Sequence, residues 1–466
     1  MAQIDCFHIQ RTYCTVMRSI LWFLYFLLAF VSTSSYNTKW QKYKEIIAGL
    51  QEYDEQLQNL NKQVSEQTIK DAFMSDFPCP PSKSTEKPKS VHQLRPGDIN
   101  VIAAMGDSLT AANGAEASTL IGVLTEFRGI SWSIGGDDDI TEVHSLPNVF
   151  KYYNPLIYGF STGTGTENRA NSKFNVAVPA SISEDMPLQA EELIQRMRED
   201  PNTDFYNDWK IITIFIGAND LSGWCDNEER FTAEKYEANI RDALDILHSN
   251  VPRALVNVVG IIDITQLAKL KGVICSVVHL AVCPCAVYGE RIEQLSDLSH
   301  QYQQMIEKLI LSGRYDTKED FTVVLQPFLQ QSKVPVDKDG NGDLTYFAPD
   351  CFHFSLKSHA AGSVGLWNNM IQPVGSKSDV WVVGEDYQCP SEIFPYLYTN
   401  LNSEPDWEPL YPERSENYLA ESNSGKNGMS GVHIVIAAML SMIGVILILL
   451  VVFMRVKVQR LQYHAI

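Results

Sequence analysis

The chain has 466 residues, 45% of them hydrophobic and 20% charged, with 37 Lys+Arg against 56 Asp+Glu and a formal net charge of −19. That length holds one large α/β domain with appendages or two ordinary domains, and the composition excludes both global disorder and a disulfide-dense mini-domain. An acidic balance of this size opposes a phosphate backbone, so nucleic acid is not expected as a partner.

In chain order, Arg11 and Arg18 precede an apolar run at 20–31, which small residues follow at Ser32–Ser35. Basic, apolar, then small is the order of a secretory signal, expected over 1–35, and the run is short for a spanning helix. Next, Tyr43, Ile46, Leu50, Tyr53, Leu57, Leu60 and Val64 recur at spacings of three and four. This seam predicts an N-terminal helix within 36–90 that docks its stripe on the main domain rather than forming a coiled-coil dimer. Residues 80–89, rich in Pro, Ser and Lys, read as a linker.

From about residue 91 the pattern changes. Candidate strands at 99–104, 174–178, 211–216, 255–262 and 321–325 alternate with amphipathic helical stretches such as 188–198 and 233–248. Near-continuous apolar strands between helices predict a mostly parallel sheet buried on both faces, over 91–399. In such sheets ligand chemistry gathers beyond the carboxyl ends of the strands. Three features fall there. The first candidate strand runs into Gly106-Asp107-Ser108, where Gly106 permits a sharp turn and Ser108 is either raised toward the crevice or is a helix N-cap. The strand at 211–216 ends in Gly217-Ala218-Asn219-Asp220, and the Asn219 amide can donate to an oxyanion or, alternatively, take a left-handed turn. Asp350 precedes His353 by three residues, so it can orient an imidazole that draws the proton from a serine hydroxyl.

Residues 337–345 fit the first nine positions of an EF-hand loop, but Ala348 stands where the bidentate Glu belongs. An Asp/Gly-rich turn is expected instead, with no metal and no cofactor. The stretch 400–433 lacks apolar periodicity and reads as a polar stalk. Residues 434–454 are free of charge and long enough to span a bilayer as one helix, and Arg455, Lys457 and Arg460 in the tail 455–466 put that tail on the cytoplasmic side. The expected topology is single-pass type I at the cell membrane, with the folded domain outside. Apart from Cys6 and Cys14 in the signal, seven cysteines then sit in oxidising surroundings, where disulfides outweigh a zinc site and an odd number leaves at least one free or paired with another chain. No Asn-X-Ser/Thr acceptor occurs anywhere.

The stretches 129–137, 146–163, 344–355 and 366–370, with the Ser108, Asn219 and Asp350/His353 blocks, resemble the GDSL or SGNH hydrolases, and among them the phospholipase B-like membrane-associated lipases. The likeness covers about 91–383. It implies a three-layer α/β/α, flavodoxin-like domain with Ser108 as nucleophile, His353 as base and Asp350 as its orienting acid. It further implies an oxyanion hole from Asn219 and the backbone N–H groups of Ser108 and Ala180. Ala180 departs from the family, which usually has Gly there; an Ala keeps the N–H but is strained if the position needs positive φ. The implied activity is extracellular hydrolysis of fatty acyl esters of phospholipids and lysophospholipids. An esterase of acetylated sugars or small soluble esters, or a weakened ectodomain used for binding, are the alternatives.

Overall fold

The computed structural model of the chain describes residues 40–50 and 77–409. The expected signal, the seam beyond Leu50, the stalk beyond 409, the apolar run 434–454 and the basic tail lie outside the described residues. Among the described residues no helix is long and apolar enough to cross a membrane.

Four strands, β1 (Ile99–Gly106), β2 (Trp209–Phe215), β3 (Ala254–Val259) and β4 (Phe321–Gln326), pair in parallel in the order β1-β2-β3-β4. Their registers align Ala103, Ile212, Val256 and Val323 in one row across the sheet. Each strand is almost wholly buried, as its mostly apolar run requires, so helices must cover both faces.

Those helices are α1 (residues 40–50), α2 (Ser108–Ala111), α3 (Leu146–Tyr153), α4 (Met186–Glu199), α5 (Ala218–Gly223), α6 (Ala233–Asn250), α7 (Val273–Val282), α8 (Pro284–Val287), α9 (Ile292–Ile310) and α10 (Leu356–Met370). α6 packs between α4 and α9, while α10 packs on α3 and β4. Apolar positions three and four apart carry this packing: α4 buries Met186, Ala190, Leu193, Ile194 and Met197, and α6 buries Tyr236, Ile240, Ala243, Leu244 and Leu247.

Three expectations need correction. The segment 174–178 is not a regular strand; it runs beside β1 with one bridge, Ala104 with Asn175, and with the Ala104 amide on the Phe174 carbonyl and the Val176 and Val178 amides on the carbonyls of Ala104 and Gly106. Lys173 (φ 49°) and Ala180 (φ 64°) stand in left-handed conformations on either side of it, and Pro179 lacks a donor, so the ladder cannot extend. The linker at 80–89 is tied down rather than free: Ser84 binds the Asp98 carboxyl through its amide and hydroxyl, and Cys79 is bonded to Cys389. Lastly, 400–409 belongs to the packed unit and not to a stalk, since Asn402 donates to the carbonyls of His92 and Leu397, and Asn400 to that of Val323.

Candidate active site

Gly106 and Phe215 are paired at the carboxyl ends of β1 and β2, and this pairing brings the Ser108 and Asn219 turns side by side. A Cβ on Gly106 would lie 2.5 Å from the Phe215 carbonyl oxygen, so only glycine fits the turn. Asp107 then caps α2 by accepting the Leu109 amide at 2.9 Å. Ser108 is therefore not the cap but the first helical residue, and its backbone N–H has no acceptor within the helix. Burial pushes the Asp107 carboxyl up to about 6, outweighing the Leu109 hydrogen bond and the charge of His353.

On the neighbouring turn Gly217, at φ 126°, leads into α5, so Asn219 is helical and not in a left-handed turn. Asn219 Nδ2 donates to the Ser181 carbonyl at 2.9 Å and makes a longer contact, 3.4 Å, with Asp107 Oδ2. One amide hydrogen is thus committed to the loop after Ala180, and the other is loosely held. Gln189 ties the same two loops: it accepts the Gly106 amide (2.8 Å), donates to the Gly106 carbonyl (2.8 Å) and reaches the Ser181 hydroxyl (3.1 Å).

Ala180 adopts φ 64°, so the glycine-like conformation is kept with an alanine in it. The approach to Ala180 is held from below by Arg128, wholly buried, which donates to the carbonyls of Gly165, Asn175 and Ala177 and pairs with Glu126 at 2.6 Å.

Asp350 and His353 lie in a tight loop closed by the Ala348 amide on the His353 carbonyl (2.8 Å) and by the Phe347–Phe354 bridge. His353 Nδ1 is 2.7 Å from Asp350 Oδ2, and both residues are buried. Burial alone raises the Asp350 carboxyl, but the His353 charge and the donors around it prevail and hold it below its usual range. Cys351 between them is at φ 56° and is bonded to Cys275 on α7, while His279 on the same helix bonds the Cys351 carbonyl at 2.8 Å. Cys225 pairs with Cys285, leaving Cys283 as a buried free thiol.

Ser108, Ala180, Asn219 and His353 line one cavity, together with Trp40, Tyr43 and Ile46 of α1. Four of the expected site residues therefore meet in one cavity, with Asp350 hydrogen-bonded to His353 behind it, and among the described residues no hydrogen bond joins the Ser108 hydroxyl to His353. A second, narrow cleft also opens on Ser108 and is walled almost wholly by apolar atoms, including Ile262, Leu267, Val334, Phe347, Phe354 and Trp381. The EF-like loop is a turn in which Asp337 Oδ1 accepts the amides of Asp339 and Asn341, both at 2.9 Å. The sequence reading did not single out Tyr43, Arg128, Gln189 or Asp220 as parts of the site. For Tyr43 a signal existed, its place in the heptad seam.

The GDSL-like Lipase/Acylhydrolase family matches residues 102–362, a span that holds the Ser108, Asn219 and Asp350/His353 turns. The chain belongs to the GDSL-like lipase/acylhydrolase family. It is similar to "Phospholipase B1, membrane-associated" of Rattus norvegicus, 46% identical over 340 residues, which are 70% of this chain and 23% of that protein. The protein of the same name from Homo sapiens is 43% identical over 342 residues, 71% of this chain and 24% of that one. The chain thus spans about a quarter of the length of the curated relatives it matches. Among solved structures, a GDSL-like lipase from Parabacteroides merdae aligns with 57% of this chain and 93% of its own at 14% identity and a TM-score of 0.31.

Proposed function

We propose that this family member is a serine ester hydrolase that releases fatty acids from phospholipids and lysophospholipids. The observation that carries the reading is the apolar cleft opening on Ser108 beside the buried Asp350–His353 pair. An acyl chain laid in that cleft removes apolar surface from water and presents its ester carbonyl at the mouth, where the polar groups are. The relatives named phospholipase B1 support the same substrate class.

In the proposed mechanism Ser108 Oγ attacks the acyl carbonyl carbon and its proton passes to His353 Nε2, while Asp350 Oδ2 accepts the Nδ1–H and stabilises the imidazolium. The oxyanion is bound by the backbone N–H groups of Ser108 and Ala180 and by the amide hydrogen of Asn219 that now leans toward Asp107. His353 then gives its proton to the departing alcohol oxygen, leaving an acyl ester on Ser108. Water attacks that ester, again with its proton taken by His353, and the fatty acid leaves as Ser108 Oγ recovers the proton.

The reading includes a signal at 1–35, a stalk after 409, one spanning helix at 434–454 and a cytoplasmic tail at 455–466, supported by the apolar run and the basic residues behind it. Such a tether keeps the cleft within reach of a bilayer although the chain is acidic. The test is fatty acid release from phosphatidylcholine and lysophosphatidylcholine by the chain and by Ser108→Ala. A loss of at least about 10³-fold is expected. Equal release by both proteins overturns the serine mechanism, and turnover of short-chain esters without lipid release overturns the substrate class.

A further inference from the structure

The docking of α1 puts an unexpected side chain on the catalytic carboxylate. Tyr43 donates its hydroxyl to Asp350 Oδ2 at 2.6 Å, the same oxygen that faces His353 Nδ1 at 2.7 Å. The other oxygen, Oδ1, accepts the amides of Phe352 and His353 at 3.2 and 3.1 Å. The Tyr43 ring stands edge-on to the imidazole, with centroids 5.8 Å apart, and Trp40 stacks on the Tyr43 ring at 5.3 Å. Ile47, fully buried with Leu120, Val123, Ile274 and Val278, pins the helix in this position.

We infer that Tyr43 is a positioning residue for the Asp350–His353 pair, completing from outside the family-matched region the set of donors that fixes which carboxylate oxygen meets the imidazole. The inference rests on the serine-hydrolase reading and adds a residue to it. A carboxylate buried this deeply needs its lone pairs filled, and Oδ2 has two donors, His353 and Tyr43. Because the two donors share one oxygen, the Tyr43 hydroxyl draws off part of the charge that would otherwise bear on the imidazole. Removing the hydroxyl leaves the whole charge of Oδ2 facing His353, which stabilises the protonated ring, so the base form is lost at a higher pH. Burial, and then the charge of Asp350, push the Tyr43 phenol well above its usual range, so it remains a donor wherever the enzyme works.

The other titratable groups facing the pair are Asp107 before α2, His279 on α7, Cys283 between α7 and α8, and His359 on α10. Among these described groups Asp107 also titrates near the acid side, which is why the test compares variants that leave it intact. Lys42 of α1 and Asp226 line the same cavity as His353, so the test also leaves both of these charges intact.

The experiment uses the full chain. The pH dependence of kcat and kcat/KM is measured on lysophosphatidylcholine and on a short-chain ester for the wild type, Tyr43→Phe, Ile47→Ala and Ser108→Ala. Tyr43→Phe keeps the ring and is expected to move the acid limb upward by about half to one pH unit and to lower kcat about 3- to 10-fold, with KM for the short ester unchanged. Ile47→Ala, which loosens α1 without touching the pair, moves the limb the same way by less. An acid limb that stays in place in both variants overturns the inference, whatever the rate. If Tyr43→Phe does not fold, Ile47→Ala decides by the same criterion. The His353 Nδ1 proton resonance followed against pH gives the same comparison without substrate, so full activity in Ser108→Ala, which sinks the hydrolase reading, still leaves the Tyr43 contact judged on its own.

Discussion

Asp220 grips Ser183: its two carboxyl oxygens lie 3.1 and 3.0 Å from the Ser183 amide, and Oδ1 also takes the Ser183 hydroxyl. The turn that carries Asn219 and the loop that carries Ala180 are thereby fastened at a second point beyond the Asn219–Ser181 bond.

This grip carries a pH signature. Burial pushes the Asp220 carboxyl up to about 7, against hydrogen bonds from Ser183 that pull it down. A carboxyl raised in the folded state contributes stability that is full below its unfolded value and is lost as the pH rises through the folded one. Between about pH 4 and 7 the wild type should therefore lose stability that Asp220→Asn keeps, at most on the order of 4 kcal/mol. The check is the difference in Tm between the two proteins across that range; a difference independent of pH contradicts the assignment.

Ala180→Gly should stabilise the protein by up to about 1 kcal/mol, because relief of a left-handed alanine exceeds the entropy gained by the unfolded glycine chain. Since Ala180 already lines the cavity with a glycine-like φ, kcat should change less than about threefold. A gain approaching 10²-fold would mean instead that the alanine misplaces an oxyanion donor. Thermal unfolding and initial rates on one ester decide between these.

Asn219→Ala is expected to lower kcat by about 10²–10³-fold with little change in KM, the mark of a donor used only in the transition state. The substitution also removes the tie to Ser181, so the Tm should be recorded beside the rate. A rise in KM at constant kcat would assign Asn219 to substrate binding.

Arg128→Met should cost about 3–5 kcal/mol, because it strands the Glu126 carboxyl and three carbonyls in the interior. The double variant Arg128→Met/Glu126→Gln should recover part of that loss. Denaturant unfolding of the set measures it, and a double variant no better than the single one would show that the carbonyl contacts dominate.

Much of this was legible in the sequence where one residue does one job. Short apolar runs specify β1 to β4 because both faces of a parallel strand are covered, and Gly106 and Gly217 mark turns only glycine tolerates. Ser108, Asn219 and His353 were readable for the same reason, each following a distinctive short motif. What stayed hidden depends on distant partners. Nothing near Tyr43 in the chain announces Asp350, 307 residues away, and nothing near Arg128 announces the carbonyls of Asn175 and Ala177. The 174–178 segment misled because an apolar run states only that it is buried: the segment bonds along the edge of β1, but the left-handed Lys173 and Ala180 on either side keep it from becoming a regular strand.

The Cys79–Cys389 bond joins positions 310 residues apart, near the two ends of the continuously described stretch 77–409. Seen as a load path, it is a short circuit. Tension applied through the chain on both sides would first peel 390–409 from one end and reach α1 from the other, then run through the sulfur–sulfur link and bypass the sheet. The strands that carry Ser108 and Asn219 would stay slack, whereas Tyr43, upstream of the link, would feel the pull.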